Sequence, residues 1–246
     1  MNATWRMLVT EFTLARRDVG NLAFGLVFPA VLLLVLGLFP GFTEADPDLG
    51  GRRLIDIYTP IVLILTFALV GIGSLAASLA TYRTQGVLRR LRVTPVGPSR
   101  LLGAQFVAHL LVALLGSGLA LIAARLAFDL SWPANLPAFV LGLTLAAASL
   151  FALGLVVGSV AASPSTASAV GPFVWLPLMV LGGLWFPREA MPELMRTISD
   201  HSPAGAAVDA VQEAWFGGTT QVTSLVVLAV STCLFGLLAA ATFRWE

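Results

Sequence analysis

Ser117 and His109, a nucleophile type and a base type, stand eight residues apart in one apolar run of this sequence. On a helix rising about 1.5 Å per residue they would lie about 12 Å apart along the axis. Nucleophilic catalysis needs such a pair within hydrogen-bond reach, so an intramembrane hydrolase is disfavoured and His109 reads as a helix-packing or interface residue. Glu189, Glu193, Asp200 and His201 are metal-ligand types. Divalent sites need convergent ligands, and nothing in this set has ligand spacing beyond the one helical turn between Glu189 and Glu193. The simpler reading of Glu189, Glu193 and Arg196 is the wet face of a helix. A phosphate-cradling G-x-x-x-x-G-K-[ST] loop is impossible, because the sequence has no lysine. None of the long apolar runs carries a mid-run acid of the kind that proton-coupled carriers place at mid-bilayer. Energy for any transport would have to come from elsewhere. What remains is a positive patch in QGVLRRLRVTPVGPSRLLGAQ (85–105), where Arg89, Arg90, Arg92 and Arg100 fall within twelve residues.

The elements that must position this patch follow from composition. The chain has 246 residues, 58% hydrophobic and only 11% charged, against about 25% charged in soluble domains. A water-facing surface needs more charge than this, so the chain reads as an integral membrane protein forming one unit. A crossing helix needs roughly 20 apolar residues. Six segments qualify: Leu22–Phe39, Tyr58–Ala80, Ala104–Phe128, Pro137–Val160, Ser165–Phe186 and Val222–Phe243. Their unbroken apolar character excludes barrel strands, which alternate over about ten residues. The single cysteine, Cys233, allows no internal disulfide. The first 20 residues lack the design of a cleavable signal, so the first span is expected to direct its own insertion.

Arginine sets the orientation. With the N-terminus inside, Arg6, Arg16, Arg17, Arg83, Arg89, Arg90, Arg92, Arg100 and Arg244 fall on the inner side, as the positive-inside rule requires. Both termini are then cytoplasmic, and 85–105 is a cytoplasmic loop. Its arginines need no further explanation than topology, but its order does: a short helical piece around Gly86–Arg92, breakers at Thr94-Pro95 and Gly97-Pro98, and Ser99 placed to cap the third span. Ahead of the first span, Trp5, Leu8, Phe12, Ala15 and Val19 repeat at three- and four-residue spacing opposite Arg6, Thr10, Thr13 and Arg17. That is an amphipathic helix suited to the membrane interface. Residues 187–221 form the longest loop. In it Met191, Leu194, Met195 and Ile198 make one helical stripe, and Val208, Val211 and Trp215 a second, broken by Ser202-Pro203 and ended by Gly217-Gly218. Two short amphipathic helices in a hairpin are expected, sitting in the outer leaflet or dipping into it, with Met191, Leu194, Ile198 and Trp215 packed against membrane or the outer ends of the spans. GLVVG (Gly154–Gly158) offers a face for close helix contact, and Pro29, Pro172 and Pro177 leave room for hinges.

This order of interfacial helix, six spans, basic loop and outer hairpin resembles the transmembrane subunit of type-2 ABC exporters over nearly the whole chain. The basic stretch is similar to the family's G-x-L-x-R-L-x-x-T-P segment. GGLWFPREAMPELMRTISDHSPAGAAVDAVQEAWFGG is similar to its G-G-x-x-x-P…P-x-x-x…P stretch. The resemblance implies that Gln85, Gly86, Leu88, Arg89, Arg90, Leu91, Thr94 and Pro95 contact a separate ATPase subunit. A glutamate is common just before the glycine, and the chain has Gln85 there, so no salt bridge is implied at that position. Gly182, Gly183, Pro187 and Pro192 match the hairpin pattern, with Leu194, Ile198 and Trp215 as its apolar faces.

The fold class so implied is all-α, with an interfacial helix over 1–21 and a six-span transmembrane domain over 22–246. The chain itself is not expected to be an enzyme or to hold a cofactor, ATP and Mg being bound by the partner ATPase. The partners implied are that ATPase, a second membrane subunit as homodimer or heterodimer, and the lipid bilayer of a bacterial cytoplasmic membrane, with no nucleic acid. Efflux of a lipophilic drug, lipid or peptide is the expected activity, with drug-resistance exporters the nearer branch. A non-transporting membrane scaffold or immunity-type protein is the alternative, which a neighbouring reading frame encoding a P-loop ATPase would exclude.

Overall fold

Long apolar runs leave no water to satisfy backbone polar groups, so they close their own hydrogen bonds as helices. The computed structural model describes residues 9–14, 19–88, 98–185, 191–218 and 221–243, and these are mostly α-helical. Five helices are long and apolar enough to cross a membrane: α2 (Leu54–Thr84), α3 (Pro98–Phe128), α4 (Leu136–Val160), α5 (Pro164–Leu181) and α8 (Val222–Thr242). The first expected span corresponds to a shorter apolar helix, α1 (Ala23–Gly37), continued backwards by one turn, Val19–Leu22. Six full-length spans were expected, and five are found among the described residues. Of the expected N-terminal amphipathic helix, 9–14 and 19–21 are described, as helix; Trp5, Arg6, Leu8, Ala15 and Arg17 lie outside the described residues. Two further helices, α6 (Glu193–Asp200) and α7 (Pro203–Phe216), form the hairpin before α8.

The helix starts follow local chemistry. Asn135 and Ser163 accept from the third backbone N–H beyond them, Ala138 and Thr166, and each is followed by proline in the first turn. α3 starts at Pro98, so Ser99 lies inside its first turn and not ahead of it as the expected cap. Pro172 and Pro177 sit within α5 without ending it. Pro29 acts differently. It has no N–H for the Gly25 carbonyl four residues back, and the turn just before it, Ala23–Val27, is π-helical.

The core is built where glycine lets helices touch. A Cβ at Gly116 of α3 would overlap the Gly25 carbonyl of α1, and a Cβ at Gly154 of α4 would overlap the Gly71 carbonyl of α2. Gly71 lies in a second π-helical stretch, Leu69–Leu75. Gly158 meets Ala76 and Leu79 one turn further along. Around this seam Phe67, Phe106 and Phe151 pack edge to face. α2 is the most enclosed helix, whereas α5 and α8 leave most of their surface uncovered. At the end where α2 begins, a short antiparallel pair joins Ala45–Asp46 (β1) to Arg52–Arg53 (β2).

Candidate functional sites

Gly86 ends α2. The N–H of Gln85 bonds back to Thr81 and that of Gly86 to Arg83, and Gly86 takes φ +68°, the left-handed position at which helices commonly stop. A side chain there would meet nothing within 4 Å. The glycine is therefore needed for its backbone and not for space. Helical geometry resumes at Val87 and Leu88, and Leu88 is 1% exposed. Arg89, Arg90, Leu91, Thr94 and Pro95 lie outside the described residues. The root of this segment is clamped by a residue that charge counting treats only as a topology signal. The Arg83 guanidinium donates to the Ala161 carbonyl and, at 2.8 Å, to that of Ser159. Ser159 also pairs with Thr242 at 2.7 Å, so the ends of α2, α4 and α8 are tied together.

Beside Gly86 a polar recess of about 250 Å³ is lined by Glu11, Leu14, Ser78, Thr81, Tyr82, Gln85, Gln105 and His109. The Tyr82 hydroxyl donates to both Glu11 carboxylate oxygens, at 3.1 and 3.0 Å. Burial raises the Glu11 pKa, opposed by hydrogen bonds from Tyr82 and Gln105. His109 is buried, with Nδ1 2.9 Å from the Gln105 carbonyl oxygen and Nε2 3.5 Å from the Ser78 hydroxyl. Ser117 instead donates to Ala113 of its own helix. The structure thus keeps His109 and Ser117 apart, and gives His109 the packing role expected. Glu11, Tyr82 and Gln105 were missed as a group because they are 71 and 94 positions from one another to the first, and no local spacing links them.

At the opposite end, Gly182 closes α5 and Gly183 takes φ +84°. Pro187 lies outside the described residues, and Pro192 precedes α6. α6 turns its polar Ser199 inward, where it donates to the Leu181 carbonyl at 2.5 Å. Leu194 and Ile198 face away, 75% and 51% exposed. Trp215 does the reverse: it is 2% exposed and packs edge to face on Phe139 at 5.6 Å. α7 buries its Val208–Val211–Trp215 stripe, but it is more enclosed than an amphipathic helix with one wet face. Its alanine- and glycine-rich remainder is buried as well, because small side chains on its other faces let it sit between α4, α2 and α8. Gln212 donates to the Ile57 carbonyl at 3.0 Å and Ser224 to Asp209 at 2.5 Å. Nearby, Arg53 forks onto Asp56 at 2.7 and 3.2 Å and reaches the Phe128 and Asp129 carbonyls, closing the end of α3. Among the described residues no three His, Cys, Asp or Glu side chains come together as metal ligands.

Comparison with known proteins completes this picture. Residues 2–216 match the family model described as ABC-2 type transporter. The chain is similar to the inner membrane transport permease YhhJ of Escherichia coli K12, 26% identical over 170 residues, which cover 69% of this chain and 43% of that protein. It is also similar to the putative transport permease YvfS of Bacillus subtilis 168, 24% identical over 182 residues, 73% of this chain and 74% of the relative. The match to YhhJ spans less than half of that relative's length. A bundle of membrane-length apolar helices, matched over most of its length, leads to one assignment: the chain belongs to the ABC-2 type transporter family, as a multi-pass membrane protein.

Proposed function

We propose that this chain is the membrane subunit of an ATP-driven exporter, working as a dimer with a separate ATPase that docks on segment 81–103. The observation that carries this reading is the construction of the segment's root. Gly86 turns the chain out of α2 in a left-handed step, Leu88 anchors it, and Arg83 ties α2 to α4 and α8. A push on the residues that follow would therefore reach three helices at once. Arg89 and Arg90 would meet partner carboxylates as forked donors. α1 with its preceding turn serves as a sixth span, both termini lie in the cytoplasm of a bacterial cell, and 1–21 lies along the membrane interface. The outward Leu194–Ile198 face of the hairpin meets lipid or the second subunit. An apolar recess of about 630 Å³ beside Leu176, Pro177, Val180, Leu181 and Trp185 suits a lipophilic drug, lipid or peptide as cargo.

The test is ATP-dependent movement of a lipophilic fluorescent substrate into inverted vesicles containing the chain and its cognate ATPase. Transport lost when the ATPase is inactivated supports the reading, and binding of the ATPase without any ATP-dependent movement would favour the scaffold alternative. Orientation is checked with Cys233 replaced by serine and single cysteines at Thr197 and Val96. Only position 197 should label on intact cells.

A further inference from the structure

The recess beside Gly86 holds a buried carboxylate without a described counter-charge. Among the described residues no arginine pairs with Glu11; the Tyr82 hydroxyl donates to it, and Gln105 is the other neutral side chain that favours its charged form. Gln105 is 1% exposed, and its side-chain oxygen has no hydrogen-bond partner. Because an ionised carboxylate only accepts, the Gln105 amide nitrogen is the atom suited to Glu11. That leaves the Gln105 side-chain oxygen as the orphan. A buried acceptor left unmade is expensive, and so is an uncompensated buried charge. His109 adds no donor at Nε2 if Nδ1 donates to the Gln105 carbonyl, since a neutral imidazole has one N–H. Among the described residues, Glu11, Tyr82 and His109 are the titratable groups facing the recess, and its other polar atoms are the Ser78 and Thr81 hydroxyls, Gln85 and Gln105. Thr81 already donates to Ala77. The space of about 250 Å³ therefore asks for an occupant that is positively charged and rich in N–H donors.

We propose that this recess binds a primary ammonium group, whose three N–H donors would satisfy Glu11, the Gln105 side-chain oxygen and a third acceptor such as the Ser78 hydroxyl oxygen. Its place in the bundle says where that group comes from. Tyr82 is two residues from the end of α2, and Gln105 lies within the first turns of α3. The recess thus opens where the apolar helices give out, at the depth of lipid headgroups. A phosphoethanolamine headgroup or a free primary amine carries the same chemistry. A quaternary choline headgroup carries the charge without a donor. The proposal does not depend on the export reading, since it concerns the bundle's own polar end.

The experiment uses the purified full chain, delipidated in detergent and in amine-free buffer. Retention of phosphatidylethanolamine is compared with phosphatidylcholine of the same acyl chains by native mass spectrometry, and ethanolamine is tested separately by its shift of the thermal midpoint. Wild type should prefer the ethanolamine lipid, and Glu11→Gln should reduce that preference about tenfold, as loss of one charge-assisted hydrogen bond requires. Gln105→Met, similar in shape, should reduce it about threefold. A cooperative melting transition in each variant shows that the fold survives. A midpoint shift by ethanolamine in wild type and not in Glu11→Gln would place the source in solution, and lipid preference without that shift would place it in the bilayer. Equal retention of the two lipids with no ethanolamine effect, or a preference that survives both substitutions, would overturn the proposal and leave Glu11 simply protonated.

Discussion

Gly154→Ala should loosen the bundle at its centre. A Cβ at 154 would overlap the carbonyl oxygen and carbon of Gly71, which are backbone atoms that no rotamer change can move aside. Accommodating it means separating α4 from α2, and overpacking of this kind costs about 1–3 kcal/mol. Alanine also gains about 1 kcal/mol over glycine in a helix interior, which partly hides the strain. Gly118→Ala isolates that gain, because a side chain there meets nothing within 4 Å. The difference between the two variants is then the packing cost alone. At about 2 kcal/mol it corresponds to a gap of about 4–8 °C in melting midpoint for a chain of this size. The assay is thermal loss of the monodisperse detergent-solubilised peak, with both variants measured beside wild type. Equal midpoints for the two variants, or a higher one for Gly154→Ala, would refute the argument that the α2–α4 seam is set by backbone contact.

Asp56→Ala leaves the Arg53 guanidinium with only the α3 carbonyls and removes the acceptor of the Ser131 N–H. A cost of about 2–3 kcal/mol is expected for this largely buried pair, read as a lower midpoint. Burial raises the Glu11 pKa above its ordinary 4.5, so in amine-free buffer the folded state holds that proton more tightly than the unfolded chain. Stability then falls as pH rises through the window between 4.5 and the raised value. Wild type should gain on Glu11→Gln as pH drops from neutral into that window, and a constant difference would contradict the burial. In the hairpin, Trp215→Ala should cost about 3–5 kcal/mol as a core truncation. Leu194→Asp should leave detergent stability nearly unchanged while lowering yield in the membrane, and the opposite ranking would mean that the faces are misassigned.

Much of the bundle was legible because its signals are local. Continuous apolar length located α2, α3, α4, α5 and α8 to within a few residues at most ends, and the Gly154–Gly158 spacing marked a seam that the structure uses. The exceptions have physical causes. α1 reaches the length of the expected first span only with the turn Val19–Leu22 ahead of it, and Pro29 and a π turn lie inside it. α7 reads as amphipathic only if alanine and glycine count as neutral filler, whereas inside a bundle they permit the closest approach. Gly205, on this helix, is pressed against Ser199, so it is no surface position. The Glu11–Tyr82–Gln105 recess and the Arg83 clamp join residues far apart in sequence, and nothing in their spacing announces them. Gly86 was legible as a motif residue, but its left-handed backbone, and with it the reason for glycine, appears only in the fold.

The central claim is that segment 85–95 is a docking element and not merely a positive-inside signal. Insertion responds to charge and not to order, so Arg90→Lys separates the two. The measurement is stimulation of the cognate ATPase by the purified, reconstituted chain, with membrane yield and cysteine labelling as topology controls. Arg90→Lys should keep topology and lower stimulation about 3- to 10-fold through loss of forked hydrogen bonding. Gly86→Trp should lower it further, while Gly86→Asn, which tolerates the left-handed turn, should retain more. Full stimulation by both Arg90→Lys and Gly86→Trp, with topology intact, would contradict the docking claim.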